Sequence, residues 1–344
     1  MKYALVYVFL FATLFTYSQE YFPENSGVKT TKISLIAFTN AIIYVTPSEV
    51  INNGTLLIKN GKVENIGTSI QIPNDAKIID LKGNSIYPSF IDLYTDFGIE
   101  KPKRTNNSFN SAQYDPTRSG YYWNDHIRPE TNPIDIFKFD NKKAKEFIEA
   151  GFGVVNTHLQ DGIVRGNGLL IALNANNGYR FLDEKSAQYL SFKRSVQTNQ
   201  SYPNSLMGSM ALLRQMYLDG EWYSKGNLNN KDLSLEALNK NKGLVQIFEA
   251  GSKLNDLRAD KVGDQYGIQY VIVGGGDEYE NLAEIKATNA SFIIPINFRK
   301  PYDVSDPYLA NEIDLSDMRK WNQEPANPGL LNKNGIRFSL TTHN

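Results

Sequence analysis

The sequence predicts an α/β protein in which a (β/α)8 TIM-like barrel follows a small antiparallel β-sheet domain. Residues 33–85 contain short strand patterns joined by turns, and residues 86–344 alternate strand and helix patterns. Such alternation is typical of right-handed βαβ units with a parallel sheet. About eight strands between residues 86 and 340 fit a closed barrel better than an open sheet. The 344 residues, 41% of them hydrophobic, are enough to bury such a core.

The small domain is predicted from strand patterns separated by turn residues. Asn60-Gly61 is the strongest hairpin signal, because both residues tolerate a positive φ. Asn52-Asn53-Gly54 and Lys82-Gly83 indicate two further turns. The predicted strands are 33–37, 41–45, 55–59, 62–67 and 77–80.

The barrel is predicted to begin at the apolar strand 86–93. A long irregular loop, 101–133, follows it. Asp140 and Ser205 are expected to cap helices, because their side chains can accept hydrogen bonds from free N–H groups of the first turn. Further helices are predicted around Leu235, at 256–266 and at 277–288, and further strands at 154–159, 169–173, 244–248, 268–273, 291–294 and 336–340.

The last predicted strand ends at Leu340, and the sequence ends at Asn344. A barrel of this type covers each strand with a following helix. We therefore expect a barrel that is truncated after strand 8, with the rest of a longer protein or a partner subunit covering its open end. The predicted domains are a signal peptide at 1–18, the small β-sheet domain at 33–85 and the incomplete barrel at 86–344.

The first residues have the pattern of a secretory signal peptide. Lys2 precedes an apolar run from residue 3 to 15, and Ser18 is a small residue at the expected cleavage point. The run is shorter than the roughly 20 residues that a membrane span needs. The sequence thus predicts a periplasmic or secreted protein with no membrane span after cleavage, the alternative being an uncleaved N-terminal anchor.

Composition excludes several classes of function. The net charge of -1 argues against nucleic-acid binding, which usually shows a basic excess. The absence of cysteine excludes disulfides, thiolate metal sites and a cysteine nucleophile. The chain has only 3 histidines, which is few for a metalloenzyme that uses several imidazole ligands.

Two segments resemble the amidohydrolase superfamily. They are GTLLIKNGKV at residues 54–63 and IDLKGNSIYPSFIDL at residues 79–93. Family members have a small sheet there, then an Asp-x-x-Gly turn and a Pro-Gly-Phe-Ile-Asp strand ending in His-x-His. The chain looks most like the imidazolonepropionase-like branch of secreted bacterial proteins. The resemblance implies a barrel that hydrolyses non-peptide C–N bonds, with one or two divalent ions held by His and Asp ligands on strands 1, 5, 6 and 8.

The chain departs from the family pattern at each ligand position. Tyr94 and Asp96 stand where the resemblance implies the two His of strand 1. Glu249 replaces a His on strand 5, glycines lie near the His position of strand 6, and His343 lies near the Asp position of strand 8. We therefore expect a degenerate metal site and no cofactor, in a part of the protein that is structural rather than catalytic.

Two alternatives remain open for this barrel mouth. Asp96, Glu249 and His343 could form an unusual site for zinc or another divalent metal in an active amidohydrolase, because carboxylates and imidazole are metal ligands. The old active-site mouth could also serve a periplasmic ligand-binding protein. His158, at the end of strand 2, is a further mouth candidate, with a structural role as the simpler interpretation.

Three other features receive a simple structural interpretation alongside a functional one. His126 is expected at the surface of the long loop. The turn Gly274-Gly275-Gly276, followed by Asp277 as the cap of the next helix, could hold an anion, although a tight strand-to-helix turn is the preferred explanation. The aromatic residues of the long loop could bind a ring or pack on the barrel rim; they are Tyr114, Tyr121, Tyr122 and Trp123.

Overall fold

The computed structural model describes residues 35–105, 113–114, 117–174, 180–226 and 230–342. The expectations for the signal peptide and for His343 lie outside these residues. The chain divides into two compact units, the first ending at Pro88 and the second beginning at Ser89.

The first unit contains a five-stranded sheet in the order β3-β2-β1-β4, with β5 also paired to β1. Its strands are β1 (Leu35–Thr46), β2 (Glu49–Lys59), β3 (Lys62–Gly67), β4 (Lys77–Asp80) and β5 (Ser85–Ile86). Asn60 and Gly61 both have positive φ and close the β2–β3 hairpin, as predicted. Ala41, Ile43 and Leu56 form the buried centre of this sheet.

The sheet of the first unit is mixed, so the expectation of a purely antiparallel sheet was wrong. β1, β2 and β3 form antiparallel hairpins, but β4 and β5 run parallel to β1. The reason is the connection 68–76, which carries the chain from the β3 edge to the opposite edge of the sheet instead of making another hairpin.

The second unit is built from two sheets and surrounding helices, which confirms the mixed α/β class. Its strands are β6 (Phe90–Thr95), β7 (Phe152–Thr157), β8 (Val164–Asn167), β9 (Leu169–Ala172), β10 (Phe181–Asp183), β11 (Ala187–Ser191), β12 (Val245–Glu249), β13 (Val271–Val273), β14 (Ser291–Pro295) and β15 (Phe338–Thr341). Its helices are α1 (Asn141–Glu149), α2 (Leu206–Ser224), α3 (Leu233–Lys240), α4 (Lys253–Asp264), α5 (Leu282–Ala287), α6 (Pro307–Asn311), α7 (Leu315–Gln323) and α8 (Asn327–Lys333).

The strands of the second unit are not all parallel, which corrects the expectation of uniform βαβ units. The sheet orders are β10-β9-β7-β6 and β15-β14-β13-β12-β11-β8. Strands β11 to β15 are parallel, and so are β6 and β7, but β9 is antiparallel to β7 and β8 is antiparallel to β11. Residues 158–168 between β7 and β9 are too few for a helical crossover, so β9 returns antiparallel to β7.

Helix caps and apolar burial fix the helices around the parallel strands. The Asp140 carboxylate accepts hydrogen bonds from the backbone N–H groups of Lys142 and Lys143, and Ser205 Oγ accepts one from Gly208, as predicted. Helix α2 packs Leu213 into a core shared with Phe248 of β12. Full burial of each such side chain stabilises the fold by about 1.5–3 kcal/mol.

The ends of the first and last strands of the second unit lie side by side. The Thr341 hydroxyl lies 2.8 Å from Asp92 Oδ1 and 3.1 Å from the carbonyl oxygen of Tyr94. Asp92 is fully buried in β6 and also accepts a hydrogen bond from the Tyr94 backbone N–H. These contacts place the carboxyl ends of β6 and β15 next to each other. None of the helices in the described ranges is both long enough and apolar enough to cross a bilayer.

Candidate functional site

A buried polar cluster joins side chains of three strands, β6, β8 and β12. Arg165 of β8 donates from Nη1 to the Tyr94 hydroxyl at 2.9 Å, and its Nη2 lies 2.6 Å from Glu249 Oε2. Its Nε donates to the Gly162 carbonyl at 3.1 Å. Arg165 is only 2% exposed, so the guanidinium is held inside the protein with its charge opposed by Glu249.

Glu249 is paired with a second cation on its solvent side. Lys193, which follows β11, places Nζ 2.5 Å from Glu249 Oε1, and the lysine side chain is 71% exposed. Each carboxylate oxygen of Glu249 therefore has its own cationic partner. Glu249 neutralises one of these two charges, so the cluster keeps one positive charge in excess.

The protonation states follow from burial and these charges. Burial alone would raise the pKa of Glu249, but the charges of Arg165 and Lys193 outweigh burial and lower this pKa to about 2. Burial raises the pKa of Tyr94 far above its ordinary value. Near neutral pH, Glu249 is therefore a fixed anion and Tyr94 a neutral phenol, and neither is poised to exchange a proton.

His158 packs among aromatic rings beside Tyr94. Its ring stacks on Tyr189 with centroids 3.6 Å apart and lies 4.7 Å from the Tyr94 ring. Tyr189 donates its hydroxyl to the Leu93 carbonyl at 2.7 Å. His158 is fully buried at the end of β7, in surroundings that suit the structural interpretation.

Asp96 is half-buried and borders a cavity of about 340 Å³. Lys193, Arg194, Gln160 and Asp161 also line this cavity. The structure thus brings Tyr94, Glu249 and His158 into one cluster, and Asp96 shares a cavity wall with Lys193. The roles proposed for these residues from the sequence remain predictions, and His343 lies beyond the described residues.

The residues of this cluster do not fit a divalent metal. A ligand carboxylate must offer a free oxygen to the ion, whereas both oxygens of Glu249 face cationic groups. Over the described ranges, no three His, Asp or Glu side chains are grouped so that they could hold a metal ion. A metal placed beside Arg165 would also face an immobile positive charge.

Arg165 and Lys193 belong to the cluster but were not among the site residues predicted from the sequence. Arg165 lies in the stretch Gly162-Ile163-Val164-Arg165-Gly166, and a charged residue inside a short apolar strand is a signal of a buried ion pair. The sequence gives no indication that Glu249 is the partner, because that contact depends on the pairing of β8 with β11 and of β11 with β12.

The glycine turn after β13 binds a carboxylate of the chain itself. Glu278 Oε1 accepts hydrogen bonds from the N–H groups of Gly275 at 2.7 Å and Gly276 at 3.1 Å. The predicted anion site is therefore filled by a buried internal side chain. The expectation that the Asp277 side chain caps the next helix was wrong, because its carboxylate accepts a hydrogen bond from the N–H of Lys253 at the start of α4 instead.

His126 is fully buried, so the expected surface placement was wrong. Its Nδ1 accepts a hydrogen bond from the Ser195 backbone N–H at 2.9 Å, which ties the long loop to the segment after β11. Burial, reinforced by the charge of Arg194, lowers the pKa of His126 to about 4. The loop aromatics pack on one another: Trp123 stacks on Tyr202 with centroids 6.3 Å apart and lies 5.3 Å from Tyr114.

The fold is similar to that of a solved amidohydrolase. A Thermotoga maritima amidohydrolase matches with a TM-score of 0.64 and 19% identity, covering 89% of this chain and 78% of that one. The A. niger ochratoxinase matches with a TM-score of 0.42 and 13% identity, covering 90% and 76%. No protein-family profile and no curated protein sequence matches the chain. The Thermotoga comparison supports, at the level of fold, the resemblance seen in residues 54–63 and 79–93.

Proposed function

We propose that this chain is an amidohydrolase-like closed barrel whose centre holds an ion pair in place of a metal ion, and that this part of the protein is structural rather than catalytic. The observation that carries the proposal is the buried contact between Arg165 and Glu249. The imidazolonepropionase-like branch is proposed on the sequence resemblance alone, and closure of the barrel on the contact of Thr341 with Asp92.

The positive charge of Arg165 beside Glu249 disfavours metal catalysis at this cluster. Hydrolysis by a metal requires an ion that lowers the pKa of bound water and polarises the scissile carbonyl. In this chain the guanidinium of Arg165 supplies the positive charge beside Glu249 instead. A guanidinium has no open coordination position for water and stays protonated in proteins. It can hold the strands together, but it cannot generate hydroxide.

Metal content tests the proposal. The purified chain would be incubated with zinc, passed through gel filtration and measured for bound metal by mass spectrometry. We expect negligible zinc in the protein peak. Near-stoichiometric zinc would overturn the proposal, and its loss in Glu249→Gln would assign the metal to the candidate site.

A second function is a metal-dependent hydrolase that uses Asp96, Glu249 and His343. It rests on the sequence pattern: Asp96 lines the cavity of about 340 Å³, but Lys193 and Arg194 line it too, and both carboxylate oxygens of Glu249 are paired with cations. This function requires that Asp96→Ala or Glu249→Ala abolish a measurable amide or lactam hydrolysis. Activity that is equal in the wild type and both variants would eliminate it.

We also propose export to the periplasm or beyond, on the N-terminal sequence pattern. A structural barrel would then position a catalytic partner, in the same chain or another. Cell fractionation and N-terminal sequencing of the native protein test the export. A mature chain that begins near Gln19 supports it, and an intact Met1 in the cytoplasmic fraction contradicts it.

A further inference from the structure

A second cleft, of about 680 Å³, lies beside the segment that follows β6. One wall is formed by residues 98–101 and the other by residues 138–143, which lead into α1. The volume is in the range of small-molecule sites. The backbone of the two walls is joined by a hydrogen bond from Lys138 N–H to the Gly98 carbonyl, so the cleft has fixed sides.

The cleft is lined by four lysines and three carboxylates. Lys138 pairs with Glu100 at 2.7 Å, and this contact lowers the pKa of the glutamate. The Asp140 carboxylate is engaged by the first N–H groups of α1. The remaining lysines form no ion pair with any residue in the described part of the chain; they are Lys101, Lys142 and Lys143.

The floor of the cleft is apolar. Ile99 is buried, and Phe139 is half-buried with the Arg180 guanidinium 3.4 Å from its ring centroid. The lining of the cleft therefore combines three lysines that form no ion pair in the described residues with two apolar side chains that can pack against the carbon atoms of a ligand. Asp96 is the one carboxylate of the lining that the contacts above do not engage, and it lies on the side shared with the smaller cavity.

We propose that this cleft binds a small organic polyanion, a molecule with two or more carboxylate or phosphate groups. The lysines supply the opposing charge, and they come from both walls: Lys101 from one, and Lys142 and Lys143 from the other. Binding of this kind weakens as salt rises, because exposed charges are screened over about 10 Å at 0.1 M ionic strength. The proposal is independent of the metal question, since none of these lysines contacts Glu249.

Titration calorimetry of the full chain with citrate and with pyrophosphate tests the proposal at low salt. The wild type should bind at least one of the two, and the triple variant Lys101→Gln/Lys142→Gln/Lys143→Gln should bind about tenfold more weakly, because each exposed charge contributes a fraction of that factor. Binding of citrate but not pyrophosphate indicates a polycarboxylate ligand, and binding of pyrophosphate but not citrate indicates a phosphorylated ligand. The matched control Lys145→Gln removes a lysine of α1 that pairs with Glu149 and is absent from the cleft lining, and its affinity should change by less than about twofold.

A gain of affinity provides a test that does not depend on the triple variant. Asp96→Asn removes a negative charge from the lining and should strengthen binding of the same probe by a few-fold. The proposal is overturned if neither probe binds to the wild type. It is also overturned if Lys145→Gln loses as much affinity as the triple variant. If the triple variant does not fold, a weaker affinity in Asp96→Asn overturns it.

Discussion

Nη2 of Arg165 lies 2.6 Å from Oε2 of Glu249, and this contact ties β8 to β12 across the intervening strand β11. An ion pair removed from water gains little over an apolar pair, but loss of one partner leaves a charge without compensation. The intact pair therefore adds little net stability, whereas removal of either partner should cost much more.

Removal of either partner should destabilise the protein strongly. We expect Arg165→Met or Glu249→Gln to lower the free energy of unfolding by about 3 kcal/mol, because each leaves a buried charge or polar group unpaired. The double variant Arg165→Met/Glu249→Leu should recover part of the loss. Urea denaturation followed by circular dichroism measures all three.

Lys193→Gln is the matched control for this series. Lys193 contacts the same carboxylate but is 71% exposed, so its removal should cost at most about 1 kcal/mol. If Lys193→Gln lowered the free energy of unfolding as much as Arg165→Met, burial of the Arg165–Glu249 contact would not explain the effect.

Asp256 should make stability fall as pH rises above the acid range in which an ordinary aspartate ionises. The residue is fully buried in the first turns of α4, and neither carboxylate oxygen has a hydrogen-bond partner among the described residues. Burial, with the charges of Glu278 and Asp277, raises the pKa of Asp256 well above its ordinary value. The protonated form is favoured in the folded state, so its contribution to stability is complete at low pH and is lost as pH rises through the raised pKa.

Asp256→Asn should remove this dependence. A plot of melting temperature against pH, from about 4 to 9, should fall further with rising pH for the wild type than for Asp256→Asn. The exposed substitution Asp75→Asn should leave the wild-type slope unchanged. Parallel wild-type and Asp256→Asn curves would contradict the assignment of a buried carboxylic acid.

His126 should give the opposite dependence, at acid pH. Its folded-state pKa of about 4 lies below its ordinary value, so the folded state favours the neutral ring. The stability that this provides is present above about pH 6.5 and is lost as pH falls toward 4. His126→Asn keeps an acceptor for the Ser195 N–H and should show a smaller fall in melting temperature between those two values. If the melting temperature of His126→Asn fell as much as that of the wild type over this acid range, the loss of stability would belong to other groups.

Local features of the fold and three residues of the cluster, Tyr94, Glu249 and His158, could be predicted from the sequence, whereas the cations that pair with Glu249 could not. Asp140, Ser205 and the Asn60-Gly61 turn act on atoms a few residues away, and the structure has all three as predicted. Their chemistry is contained in one short segment.

The missed features depend on contacts between distant segments. Asp277 was expected to cap the helix that follows it, but it caps α4 through Lys253. Arg165 finds Glu249 only after β8, β11 and β12 have paired. The replacement of metal ligands remains a prediction from the sequence resemblance, and the cation that pairs with Glu249 could not be predicted from the sequence.

The close packing of two glycine turns should make Gly275 intolerant of a side chain. A Cβ at Gly275 would lie 2.5 Å from the Gly251 carbonyl oxygen and 2.9 Å from Ser252 Cα, both of which are backbone atoms that cannot rotate away. Gly275→Ala should therefore destabilise the protein by about 1–3 kcal/mol through overpacking. It should also weaken the hold of the turn on Glu278 Oε1, which depends on the Gly275 N–H.

Gly329→Ala is the control for this substitution. Gly329 lies in α8, and a Cβ there would meet nothing within 4 Å. Alanine favours a helix over glycine by up to about 1 kcal/mol, so this variant should be as stable as the wild type or more stable. Thermal denaturation of the two variants side by side measures the difference. Equal melting temperatures for Gly275→Ala and Gly329→Ala would mean that the backbone around Gly251 can move aside, and that the turn does not fix the position of Glu278.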